Sequence, residues 1–111
     1  MNLSETFVTT VAELSAMRQR DGRLYCEFLR VPVMSAGLYE LAAGAADPQS
    51  PHAEDEVYVI FNGQGRIRIA DQDYPVSAGS VVFVRAGVEH RFHSIEAALS
   101  ILVFFAPAES N

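Results

Sequence analysis

Between Leu24 and Phe105 the chain is a succession of short apolar, β-branched and aromatic runs, broken at close intervals by turn residues. Runs of that length and composition read as strands, and many of them in a row argue for a β-sandwich or a small barrel. The expected strands are Leu24–Val31, Ala36–Leu41, Glu56–Phe61, Arg66–Ile69, Tyr74–Val76, Val81–Val84, His90–Ile95 and Leu99–Phe105. Pro32 separates the first two. Asn62-Gly63 is a hairpin-turn signal, and Arg66-Ile67-Arg68-Ile69 alternates with period two, as a half-buried strand should. Asp71-Gln72-Asp73 turns the chain again, and the polar tail Ala106–Asn111 reads as a frayed end. Only Val8–Arg20 has a helical period. Thr10 can cap it with Glu13 three residues on, Val11, Leu14 and Met17 fall on one face, and Asp21-Gly22 stops it.

Half of the 111 residues are hydrophobic, which supports a packed core and argues against disorder. The net charge is −6, and the eight basic residues are all arginines scattered along the chain. An acidic domain with no basic block is a poor match for nucleic acid or for an anionic membrane. No apolar run approaches the roughly twenty residues of a membrane span, and no signal peptide is legible from Met1 onward, so a cytoplasmic location is expected. The single cysteine, Cys26, has no intrachain partner and lies between strand formers. It reads as a small buried hydrophobe rather than a reactive thiol.

His52 and Glu56 are four residues apart, and His90 follows in a later strand. Imidazole nitrogen with carboxylate oxygen suits a divalent first-row metal, and two histidines plus one carboxylate is the donor set of non-haem Fe(II) oxygenases. The spacing alone is a weak signal. The surrounding residues sharpen it. From Gly44 the chain reads Gly44-x5-Ser50-x-His52-x3-Glu56-x6-Gly63, and from Gly79 it reads Gly79-x5-Arg85-x-Gly87-x2-His90-x3-Ser94. These segments resemble the two signature motifs of the cupin superfamily, G-x5-H-x-H-x3,4-E-x6-G and G-x5-P-x-G-x2-H-x3-N.

The resemblance implies an all-β fold, a double-stranded β-helix forming a jelly-roll-like conical barrel, here with a short N-terminal helix. On that reading residues 1–23 form an arm packed on the barrel, 24–106 the barrel and 107–111 a polar tail. It implies a divalent metal (Fe, Mn, Ni, Zn or Cu) held by His52, Glu56 and His90, and a pocket for a small organic molecule. Ser50, Tyr58 and Phe92 are the expected pocket residues. Gly63 and Gly65 are expected to flank a tight hairpin, and Gly79 and Gly87 to turn the chain into and out of Val81–Val84.

Alternation gives a check on this reading. If Glu56 points inward, so do Tyr58 and Ile60; if His90 does, so do Phe92 and Ser94, while Arg91 and His93 point outward. Three positions depart from the family pattern: Ser50 stands for the first histidine, Arg85 for the proline and Ser94 for the asparagine. Ser50 is expected to face inward with His52, leaving a coordination position open. Gln49 beside it reads as a loop amide and Glu54 as part of an acidic entry to a strand. The fold does not fix the function. A metal-dependent enzyme, dioxygenase- or isomerase-like, and a metal-free module binding a small metabolite both stand at this point, as does a dimeric scaffold. The consecutive apolar residues of Val81–Val84 and Leu99–Phe105 call for cover on both strand faces. The N-terminal segment or a second subunit would supply it, and the family resemblance also points to a homodimer.

Overall fold

The computed structural model of the protein describes residues 6–110; the ends of the expected arm and tail, residues 1–5 and Asn111, lie outside the described residues. One helix, α1 (Val11–Asp21), precedes six strands: β1 (Tyr25–Val31), β2 (Met34–Leu41), β3 (Asp55–Ile69), β4 (Gln72–Ser77), β5 (Val81–Val84) and β6 (His90–Ala106). All pair antiparallel, in the order β1-β2-β6-β3-β4, with β5 also on β3. The helix starts where its cap predicts. The Thr10 side chain accepts the Glu13 amide at 3.1 Å, and Gly22 closes the other end in the left-handed conformation.

β3 and β6 form the spine of the fold. They pair from Asp55↔Ala106 to Ile69↔His90, so each runs through a position expected to be a break. Asn62-Gly63 is therefore not a hairpin turn. The register shifts between Ile60 and Asn62, and again on either side of Gln64, absorb the turn-forming residues as bulges within one strand. Gly63 has φ 103° there, and a Cβ on it would lie 2.2 Å from the Ala98 carbonyl oxygen of β6. The glycine is needed for a close strand-to-strand approach. Ser94, with φ 50°, breaks the alternation of β6, so Ile95 rather than Ser94 turns inward.

Away from these irregularities β3 and β6 alternate. Glu56, Tyr58 and Ile60 are buried on one face of β3, and His90 and Phe92 on the same face of β6. Leu99, Ile101, Val103 and Phe105 join them in the interior core, with Tyr39, Leu41 and Val84. The opposite face of β6 presents Leu102 and Phe104 to a second core, where Leu14, Val11 and Met17 of α1 meet Phe28, Ala36 and Leu38. The helix is thus the cover that the apolar run Leu99–Phe105 requires. β5 has no such cover among the described residues: Val81 and Phe83 are 69% and 59% exposed. Cys26 is buried and unpaired. As far as Ser110 the tail is not frayed, because hydrogen bonds from residues 108–110 fix it against the sheet and the loop before β3. Among the described residues, no helix is long and apolar enough to cross a membrane.

Candidate metal centre

Glu56 sits near the start of β3 with strands on both sides, paired with Phe105 of β6 and Val84 of β5. His90 opens β6. His52 lies on the loop before β3, and its carbonyl oxygen accepts the Gly87 amide at 2.7 Å. That bond ties the loop to the turn leading into β6 and brings the two histidines together. Ligand atoms of His52, Glu56 and His90 all lie within 4.8 Å of one another. His90 Nε2 is 2.8 Å from Glu56 Oε1, with both side chains 1% exposed. Glu56 Oε2 is buried with no hydrogen-bond partner. An orphaned carboxylate oxygen in an apolar interior is costly, and a cation is the partner that would satisfy it. The donor set therefore fits a divalent metal.

A chain of hydrogen bonds surrounds the triad. His90 Nδ1 lies 2.9 Å from the Val88 carbonyl oxygen, and its Nε2 is 2.8 Å from the Tyr58 hydroxyl. Tyr58 donates to Gln49 Oε1 at 3.0 Å, and Gln49 Nε2 donates to Asp47 Oδ2 at 2.6 Å. Asp47, buried, also accepts from the Tyr39 hydroxyl at 2.5 Å and the Phe92 amide at 2.9 Å. With its NH2 on Asp47, Gln49 turns its oxygen inward, 3.3 Å from His52 Nε2. Burial, then the Glu56 charge, pushes the Tyr58 pKa up, so the phenol stays protonated. Burial alone would lower the His90 pKa, but the hydrogen bond to Glu56, the Val88 carbonyl and the Glu56 charge together raise it.

Beside the centre is an apolar cavity of about 230 Å³. Tyr25, Tyr39, Val103 and Phe105 wall it, and Gln49, His52, Tyr58 and Glu109 form its polar end. Tyr25 packs across Gly37, where a Cβ would come within 2.3 Å of its ring; only glycine lets the tyrosine lie there. The Tyr25 hydroxyl is buried without a partner.

The structure thus brings His52, Glu56 and His90 together and sets Tyr58 at the cavity wall. Two expected pocket residues lie elsewhere. Phe92 is fully buried beneath Tyr58, ring centroids 5.0 Å apart, and packs the core without lining the cavity. Ser50 is exposed and borders a second cleft, which Gln49, His90, Arg68 and Arg91 also line. The period-two argument does not reach Ser50, because residues 42–54 form a loop rather than a strand. Its neighbour Gln49 is the residue that turns in. Arg91 and His93 do face outward, the latter paired with Asp73. Sequence reasoning missed Asp47 and Glu109 altogether and set Gln49 aside. Glu54, read as part of an acidic entry to a strand, is buried and holds Ser110. No periodicity marks such loop and tail residues.

A family model described as "Cupin domain" matches residues 37–105. The uncharacterized protein SCO3923 of Streptomyces coelicolor is 48% identical over 98 residues, covering 88% of this chain and 93% of its own. Among solved structures, an uncharacterized conserved protein with a double-stranded β-helix domain from Klebsiella pneumoniae superposes with TM-score 0.77 at 15% identity, covering 93% of this chain and 91% of that one. TT1209 from Thermus thermophilus gives 0.73 at 20% identity, covering 91% and 97%. Other matched proteins are longer. The chain spans 39% of the DMSP lyase DddQ from Ruegeria pomeroyi, with 68% of its own length covered, TM-score 0.64 and 21% identity. At such identities the likeness is one of fold alone. Together the matched family model, the 48% identical relative and the double-stranded β-helix place the chain in the cupin family.

Proposed function

We propose that this cupin holds a divalent metal through His52, Glu56 and His90 and binds or transforms a small organic molecule in the cavity beside it. The observation that carries the reading is the buried, unpartnered Glu56 Oε2 inside a cluster whose ligand atoms lie within 4.8 Å of one another. When bound, the metal would act as a Lewis acid or an O2 site. The chain's own residues do the rest. Tyr58, kept protonated, orders Gln49; Asp47 holds the Gln49 amide so that its oxygen faces His52. Gln49 is thereby the inward group on the loop where the family motif has its first histidine. The Tyr25 hydroxyl is a free donor for a polar atom of a ligand lying on the aromatic wall. The donor set suits Fe, Mn, Ni, Zn and Cu alike.

Calorimetric titration of the apoprotein with Zn²⁺ and with Mn²⁺ tests the metal. Wild type should bind about one ion per chain, and His52→Ala should weaken binding at least tenfold; no uptake by wild type would overturn the reading. The pH dependence follows in sign. His90 titrates above its ordinary value of about 6.5 in the fold. Metal must displace that proton, so affinity should climb as pH rises through the raised pKa and level off above it. The apoprotein should behave oppositely. The stability contributed by the His90–Glu56 pair is fully present below the unfolded pKa and is lost as pH rises through the folded one. Flat metal affinity from pH 6 to 9 would contradict the assignment of His90 as a ligand.

A second reading has its own support. His90 and Glu56 already pair at 2.8 Å, and Tyr58 and Gln49 complete a network that stands without metal. On that reading the cavity binds a small metabolite and no ion is involved. Turnover assays with a substrate panel, run with and without chelator, separate this metal-free binder from a metal enzyme.

The assembly is proposed to be a dimer in the cytoplasm. Val81, Phe83 and Phe61 are exposed beside half-buried Val57 and Val59, which pair across β5 with Phe83 and Val81. That outer face is the one covered on β6 by the helix but bare on β5. Light scattering should give twice the chain mass, and Phe83→Asp should halve it. A monomer at high concentration would refute the dimer.

A further inference from the structure

The C-terminal tail is tied down at four points after β6. Ala108 donates to the Pro32 carbonyl oxygen at 3.4 Å, and the Glu109 amide donates to Ser35 Oγ at 2.8 Å. Arg30 Nη2 donates to the Glu109 carbonyl oxygen at 2.8 Å. Ser110 gives both its amide and its hydroxyl to Glu54 Oε2, at 3.1 and 2.8 Å. Ser35 is fully buried and Glu54 is 5% exposed. Among the described residues, the tail supplies the hydrogen bonds to both of these side chains. Buried polar groups without partners are unfavourable, so Ser35 of β2 and Glu54 of the loop before β3 favour a fixed tail that satisfies them.

The fixed tail delivers one carboxylate to the centre. Glu109 Oε2 lies 3.2 Å from His52 Nδ1, at the polar end of the cavity. His52 needs such help. Glu56 and His90 are set by the sheet, whereas His52 is on a loop, held by its backbone, by the Gln49 amide oxygen 3.3 Å from Nε2 and by the edge of Phe105 at 4.9 Å. A neutral imidazole carries its proton on one nitrogen only. A carboxylate at Nδ1 keeps the proton there and leaves the Nε2 lone pair for a metal. The Gln49 amide oxygen faces Nε2 and competes for the proton, but a carboxylate is the stronger acceptor and draws it to Nδ1.

We propose that Glu109 is a positioning residue of the metal centre: the strapped tail holds its carboxylate on His52 Nδ1 and so fixes the ring and its tautomer for coordination through Nε2. This rests on the metal reading above. The test is titration of the full-length apoprotein with Zn²⁺ in wild type, Glu109→Ala and Glu109→Gln, together with ¹⁵N shifts of the His52 ring in the metal-free proteins. Loss of a carboxylate behind a metal-bound histidine typically weakens binding about 10–100-fold, and that is expected for Glu109→Ala. Glu109→Gln keeps an acceptor for the Nδ1 proton and should recover most of the affinity. The wild-type ring should be protonated on Nδ1, and Glu109→Ala should show a mixture of tautomers. Zinc binding by Glu109→Ala at wild-type strength, or tighter, with unchanged ring shifts would overturn the proposal and leave the metal reading standing. A wild type that takes up no zinc would overturn both.

Discussion

Replacing His90 with alanine is expected to cost the apoprotein about 3–5 kcal/mol and to abolish metal uptake. Removing one partner of a buried ion pair leaves the other charge without compensation, and that magnitude is typical. Here Glu56 is the residue left behind, with Oε1 stripped of its 2.8 Å contact and Oε2 already without one. Replacing both residues with leucine should behave differently. Well-packed apolar side chains in place of a buried pair are often neutral or stabilising. The double variant should therefore melt close to wild type while binding no metal. Urea denaturation of the metal-free proteins measures this. A single variant as stable as wild type would mean that the pair is not buried as described.

The second large effect is at Gly63. Glycine there meets two demands at once, a φ of 103° and a β6 backbone that would sit 2.2 Å from an added Cβ. The colliding atom belongs to the main chain and cannot swing aside. Gly63→Ala should lose about 1–3 kcal/mol to backbone strain and a further 1–3 or so to overpacking between the strands. Gly79 is the control. Its φ is 95°, but nothing lies within 4 Å of its missing Cβ, so Gly79→Ala should lose only the strain. Equal losses in the two variants, by thermal melting, would contradict the close approach of β3 and β6.

The contrast at Gly63 shows how far the sequence could be read. The triad was legible through the resemblance to the two cupin motifs, since the spacing alone is a weak signal, and period two placed Glu56, Tyr58, Ile60, His90 and Phe92 on the inner face. The helix was legible because its cap, its face and its stop are all local. A turn and a bulge, however, use the same residues. Whether Asn62-Gly63 reverses the chain depends on β6 lying alongside, which is a long-range fact. Ser50 and Gln49 were misassigned because a loop has no face to alternate. Gln49 turns inward for the sake of Asp47 and Tyr58. The tail looked loose because its anchors, Ser35 and Glu54, are 74 and 56 residues away in sequence.

Uptake of a metal by this centre decides what chemistry the cavity can support. Elemental analysis of protein purified without chelator, then of the same protein stripped and reconstituted with Fe, Mn, Ni and Zn in turn, tests that directly. The triad predicts about one divalent transition-metal ion per chain in wild type and only a trace in His90→Ala. Wild-type protein that remains folded and retains no metal under any of these conditions would contradict it.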